Sequence, residues 1–160
     1  MRIANIEQSN QAAVGISRAG EPFLNFTRAL QMYELFSQGA AGPEARNVQE
    51  LLDTARFDVE LFGRVLDFIE AHRLWGQTAM EGSIRFCAPF RRPGQIVALG
   101  RNYAVHTDGR PLPPPREPII FSKSNTSVIG PEDTVLLPPN LGRIEPEIEL
   151  AVIIGSGPGE

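Results

Sequence analysis

Three acidic residues at alternate positions, Glu145, Glu147 and Glu149, lead into the apolar run Leu150-Ala151-Val152-Ile153-Ile154-Gly155. Side chains alternate faces along a strand, so a strand here would set all three carboxylates on one face, neighbours roughly 6.5 Å apart. So apolar a run expects burial, and a carboxylate pair taken out of water needs protonation, a basic partner or a cation. Oxygen donors of this kind suit Mg²⁺, Mn²⁺ or Ca²⁺ rather than zinc. The alternative is an edge strand whose acidic face is simply hydrated.

A second cluster is Gly100-Arg101-Asn102-Tyr103-Ala104-Val105-His106, which follows the apolar run Ile96 to Leu99. A turn at the end of a strand would leave these polar side chains at a sheet edge. Histidine there can titrate near neutral pH and act as a general base, and Arg101 could grip a carboxylate with two parallel hydrogen bonds. Alternatively, Asn102 makes a turn and Tyr103 and His106 pack locally. Lys123 is the third feature: strand alternation puts it on the same face as Phe121, where it is either a site cation or a snorkelling surface residue. His72 reads as a helix C-terminal residue interacting with the dipole.

The elements that must position these groups fall into two halves. Of 14 prolines, Pro22 and Pro43 precede residue 88 and the remainder follow it. Proline removes a backbone donor and fixes φ, so the second half is not mainly helical. In the first half, Asn25 can cap a helix with Phe26, Leu30, Tyr33 and Phe36 at helical spacing, ended by Gly39. Further helices are expected from about Glu44 to Thr54 and from Asp58 onward, the latter burying Leu61, Val65, Leu66 and Ile69. Val14-Gly15-Ile16 suggests a short strand. Beyond residue 84, buried strands are expected at Ile96–Leu99, Ile119–Phe121, Val135–Leu137 and Glu147–Gly155, with a turn at Gly130-Pro131-Glu132-Asp133. Pro111, Pro113, Pro114 and Pro115 read as an extended connector rather than a recognition motif. The expected class is α+β, with a small helix-containing region over 1–85 and a β-rich region over 86–160.

Composition narrows the function. The 160 residues carry 15 Lys+Arg against 19 Asp+Glu, a net charge of −4, which argues against a nucleic-acid partner. One cysteine, Cys87, excludes an intrachain disulfide framework and fits a reducing compartment. No stretch reaches the length of a membrane span, and the first residues lack a signal peptide's apolar core. The expected location is the cytoplasm. No Gly-rich phosphate loop, Cys/His metal spacing or serine elbow is present, and Gly155-Ser156-Gly157-Pro158-Gly159 reads as a turn.

Taken in order, Ile96-Val97-Ala98-Leu99-Gly100-Arg101-Asn102-Tyr103-x-x-His106, Pro118-Ile119-Ile120-Phe121-Ser122-Lys123, Ser127-Val128-Ile129-Gly130-Pro131, Leu137-Pro138 and Glu147-x-Glu149-Leu150-Ala151-Val152-Ile153-Ile154-Gly155 resemble the fumarylacetoacetate hydrolase family. The resemblance spans about residues 94 to 155, and residues 1–85 look like the small domain that precedes the catalytic domain in many members. It implies a mixed β-roll or barrel-like catalytic domain, of which 86–160 would be the first part, and usually a homodimer. It also implies an enzyme acting on a β-dicarbonyl or 2-oxo acid. Glu147 and Glu149 match the family's metal ligands for Mg²⁺, Mn²⁺ or Ca²⁺, and His106 matches the base that activates water. Arg101, Tyr103 and Lys123 match positions lining the substrate site.

The reaction this implies is metal-dependent hydrolysis of a C–C bond in an acylpyruvate-type acid. A 2-oxo acid decarboxylase or an enol–keto isomerase using the same site is the alternative. Two departures stand out. Many relatives carry a glutamate three positions after the histidine; here that position is Gly109, and Asp108 is the nearest candidate for the imidazole-orienting role. Relatives also supply a third ligand, an aspartate, well beyond the E-x-E pair, where this sequence has already stopped at Glu160. A piece of a longer chain is therefore expected, or else a non-catalytic remnant serving as an interaction module.

Overall fold

A computed structural model describes residues 1–80, 82–90, 93–105, 109–113 and 115–154. It is a mixed α and β molecule with two small sheets and a few helices. Strands β1 (Arg2–Gln8) and β2 (Gln11–Ser17) pair antiparallel from Arg2↔Ser17 to Gln8↔Gln11. Ser9 and Asn10 close the hairpin with φ of 51° and 62°, the left-handed pair that a two-residue turn between twisted strands requires. Only the Val14–Ile16 part of this hairpin was expected as a strand; β1 is an addition. The short β3 (Leu24–Asn25) pairs with β2, and β4 (Arg85–Phe86) with β1, giving the order β3-β2-β1-β4.

Helix α1 (Phe26–Gln38) starts where Asn25 Oδ1 accepts from Arg28 N at 3.0 Å. It ends at Gly39, whose φ of 75° is the left-handed cap that glycine adopts without a Cβ penalty. α2 (Val48–Asp53) is shorter than the expected 44–54, because the chain turns at Asn47. Asn47 Oδ1 accepts from Glu50 N at 3.0 Å while Glu50 Oε2 accepts from Arg46 N at 2.7 Å, a reciprocal cap that fixes the start. α3 (Val59–Ala71) is capped by Asp58 and buries Phe62, Val65, Leu66 and Ile69. His72 caps its C-terminus as expected, with Nδ1 2.9 Å from Phe68 O. α4 (Trp75–Thr78) is a single turn.

Phe26 meets Phe62 edge-to-face at 5.0 Å, joining α1 to α3 above the first sheet. The buried apolar residues run from Ile6 to Ala88 and no further along the described chain. Asn5, itself buried, ties three parts together. Its Nδ2 donates to Ala88 O at 2.9 Å and Pro89 O at 2.8 Å, and its Oδ1 accepts from Val48 N at 2.7 Å.

The second sheet has two antiparallel strands, β5 (Ile96–Gly100) and β6 (Ile119–Lys123), in register from Ile96↔Lys123 to Gly100↔Ile119. Both were expected as strands, but as buried ones. In fact Val97, Leu99, Ile119, Ile120 and Phe121 are exposed. A 3₁₀ turn (Asn125–Ser127) follows β6. The turn at Gly130–Asp133 forms as expected, Asp133 N donating to Gly130 O at 3.2 Å and Gly130 N to Asp133 Oδ2 at 2.7 Å.

Two expected strands are not strands. Val135–Leu137 and residues 147–154 run as irregular, exposed chain, with Leu136 85% and Ile148 97% exposed. A strand exists only through a ladder with a neighbour, and among the described residues neither segment has one. Apolar β-branched composition sets what a segment does once paired; it does not supply the partner.

Candidate active site

At Gly100 the β5–β6 ladder ends and the chain leaves for 18 residues before rejoining it at Ile119. Gly100 is needed there: a Cβ would lie 3.2 Å from Ile119 Cγ2, and larger side chains would push the strands apart. The excursion is drawn together a second time, where Leu112 N donates to Ala104 O at 2.9 Å and Val105 bridges to Pro111. Between the two closures lies a cleft of about 500 Å³, its walls including Arg101, Asn102, Tyr103, Leu112, Arg116 and Ile119. Pro115 and Pro118 stiffen the returning wall by fixing φ. The proline-rich stretch is thus a connector that shapes the cleft; Pro114 lies outside the described residues.

Arg101 holds φ at 55°, a left-handed conformation uncommon for a residue with a Cβ. That turn carries the chain off the strand end and sets Arg101 and Tyr103 on the cleft wall. The Tyr103 hydroxyl accepts a hydrogen bond from Leu150 N at 3.1 Å, across 47 residues. This contact matters for the carboxylates. It brings the residue after Glu149 against the cleft wall although no strand forms there.

Glu147 and Glu149 are exposed, and neither carboxylate has an ion pair among the described residues. Glu145, by contrast, pairs with Arg143. Two unpaired carboxylates on one short stretch have the donor chemistry of a hard divalent cation. They make only part of a ligand set: no group of three His, Cys, Asp or Glu able to hold a metal occurs among the described residues.

Of the other expected site residues, Lys123 shares a face with Phe121, its Nζ 5.5 Å from the ring centroid. The register opposes Lys123 to Ile96, at the far end of the ladder from Gly100. Four residues of strand, about 14 Å, separate those ends, so the structure does not bring Lys123 to the cleft. His106 and Asp108 lie outside the described residues. Arg116 is a cleft residue that sequence reasoning missed. The signal was present in Pro115-Arg116-Glu117-Pro118, since a chain returning to β6 must pass the strand end where Arg101 sits.

The cleft thus lies at the open end of a β-ladder, walled by arginine, tyrosine and proline and approached by the segment that carries Glu147 and Glu149. Residues 95–160 match the fumarylacetoacetate (FAA) hydrolase C-terminal family. A bovine (Bos taurus) protein named mitochondrial oxaloacetate tautomerase FAHD2A is 30% identical over a match covering 81% of this chain and 46% of its own. The human (Homo sapiens) protein of that name is 47% identical across 45% of this chain and 23% of its own. An uncharacterized protein of Pyrococcus abyssi is 45% identical across 42% of this chain and 32% of its own. With this match over its C-terminal part, the chain belongs to the fumarylacetoacetate hydrolase family. It spans about half the length, or less, of the curated relatives it matches. No helix among the described residues is long and apolar enough to cross a membrane.

Proposed function

We propose that this chain is part of a divalent-metal-dependent enzyme that interconverts the keto and enol forms of a small 2-oxo acid. The observation carrying this reading is the Leu150–Tyr103 hydrogen bond, which draws the Glu147/Glu149 stretch to a cleft whose wall holds Arg101. The relatives named oxaloacetate tautomerase support the isomerase over the hydrolase chemistry.

Arg101 orients the acid by a charge-assisted, two-pronged contact to its carboxylate. Tyr103 accepts from Leu150 N and so keeps its own O–H proton free to donate to the enol or keto oxygen. Glu147 and Glu149 would hold Mg²⁺, Mn²⁺ or Ca²⁺, which when bound withdraws electrons from the adjacent carbonyl. His106 is the proposed base for the α-proton, with Asp108 orienting it. A mixed β-roll catalytic domain, a homodimer and a cytoplasmic location belong to the same proposal. The exposed apolar side chains of β5 and β6 support the dimer, and the single cysteine supports a reducing compartment.

C–C bond hydrolysis is the second reading, favoured by the family's own description. Its water needs a well-oriented histidine, and Gly109 stands where many relatives carry the orienting glutamate. Incubation with oxaloacetate and with an acylpyruvate, each with Mg²⁺ or Mn²⁺, separates the two. Faster decay of enol absorbance without cleavage products supports the isomerase; pyruvate released from the acylpyruvate supports the hydrolase. Absence of both activities overturns the enzymatic reading. In calorimetry, Glu147→Gln with Glu149→Gln should abolish saturable Mn²⁺ binding, and retained binding would remove these residues from the metal site.

A further inference from the structure

Arg18, Arg46, Arg56, Arg64, Arg85 and Arg143 each pair with a carboxylate. Among the described residues Arg101 and Arg116 have no carboxylate partner, although both line the same cleft. Arg101 stands one residue beyond the end of β5, and Arg116 stands three residues before the start of β6. Because Gly100 and Ile119 are register partners, the two arginines flank one mouth from its outgoing and returning sides. Like charges at one mouth repel, and an anion with two acidic groups relieves that repulsion while satisfying both forks. A monoanion leaves one guanidinium to water.

We propose that Arg116 is a specificity-determining residue, binding the second carboxylate of a dicarboxylic 2-oxo acid whose first carboxylate is held by Arg101. This rests on the reading that the cleft takes a 2-oxo acid, and it adds the requirement for a second acidic group. The remaining walls, Leu112, Pro115 and Ile119, are apolar and suit the short carbon chain between the two acids.

Equilibrium binding tests this without turnover. The full chain is titrated with malonate, a dicarboxylate, and with pyruvate, a 2-oxo monocarboxylate, in buffers with and without Mg²⁺, following amide shifts or heat. Malonate should bind about 10-fold more tightly than pyruvate, the scale of one added charge-assisted contact. Arg116→Gln should erase that advantage while leaving pyruvate affinity within about 2-fold, and Arg116→Lys should restore part of it. Equal affinities in the unsubstituted chain, no binding of either acid, or an advantage that survives in Arg116→Gln would overturn the assignment. If the expected pattern holds while oxaloacetate is not turned over, the assignment stands and the enzymatic reading falls.

Discussion

Asn5 shows how much one polar side chain can carry. Buried in the first sheet, it satisfies the buried Val48 amide and Ala88 carbonyl and also donates to the part-exposed Pro89 carbonyl. Asn5→Ala strands Val48 N and Ala88 O, and each unsatisfied buried group costs roughly 1–3 kcal/mol. Partial relaxation of the chain reduces the sum, so a loss of about 2–4 kcal/mol is expected, read as a lower urea midpoint with unchanged slope. Arg101 makes the opposite case, a side chain kept despite its backbone. Arg101→Gly should unfold at higher denaturant than Arg101→Ala, by about 1 kcal/mol, since glycine alone tolerates φ of 55° freely. Both variants should lose carboxylate binding equally, as the guanidinium is gone in each. At this scale the sequence was informative where chemistry is local: Arg101 and Tyr103 were readable because they follow a strand end directly. Arg116 takes more than a local reading, because its place on the same cleft as Arg101 follows only once Gly100 and Ile119 are paired.

Among the elements, the helices were legible for a specific reason. Asn25, Asp58 and Gly39 are cap residues whose hydrogen bonds lie within three or four positions of themselves, so their meaning is contained in a short window. Strands have no such window. β1 went unread because Ser9-Asn10 is a weaker turn signal than Asn-Gly, and Val135–Leu137 and 147–154 were over-read because apolarity substituted for a ladder. The β5–β6 ladder has a sharp dependence on Gly100. Gly100→Val should prise Ile119 away from β5, and amide exchange at the paired residues should rise at least 10-fold while the first sheet keeps its protection. Gly39→Ala, at the end of α1, should cost about 1 kcal/mol through its left-handed φ and leave the cleft untouched.

For the whole molecule, burial is distributed unevenly. Phe26, Phe62 and their neighbours are sealed, whereas Ile120, Leu136, Ile148, Leu150 and Ile154 all stand more than half exposed. So much apolar surface in one half of a chain marks a surface that associates. The 160-residue chain should therefore self-associate with rising concentration, seen as a growing mass in light scattering. It should also bind an apolar dye, and Ile120→Lys with Leu136→Lys should reduce both signals without lowering the unfolding midpoint of the Ile6–Ala88 core. A dye-negative, strictly monomeric chain would refute this.

The pairing of β4 with β1, secured by Asn5, has a consequence for biosynthesis. Once Phe90 clears the ribosome, the strands of the first sheet and the helices that cover it are already outside. A growing polypeptide can thus settle its amino-terminal portion into final form while the stretch bearing Arg101, Tyr103 and Glu149 is still being translated, so that the second sheet is assembled onto a finished foundation.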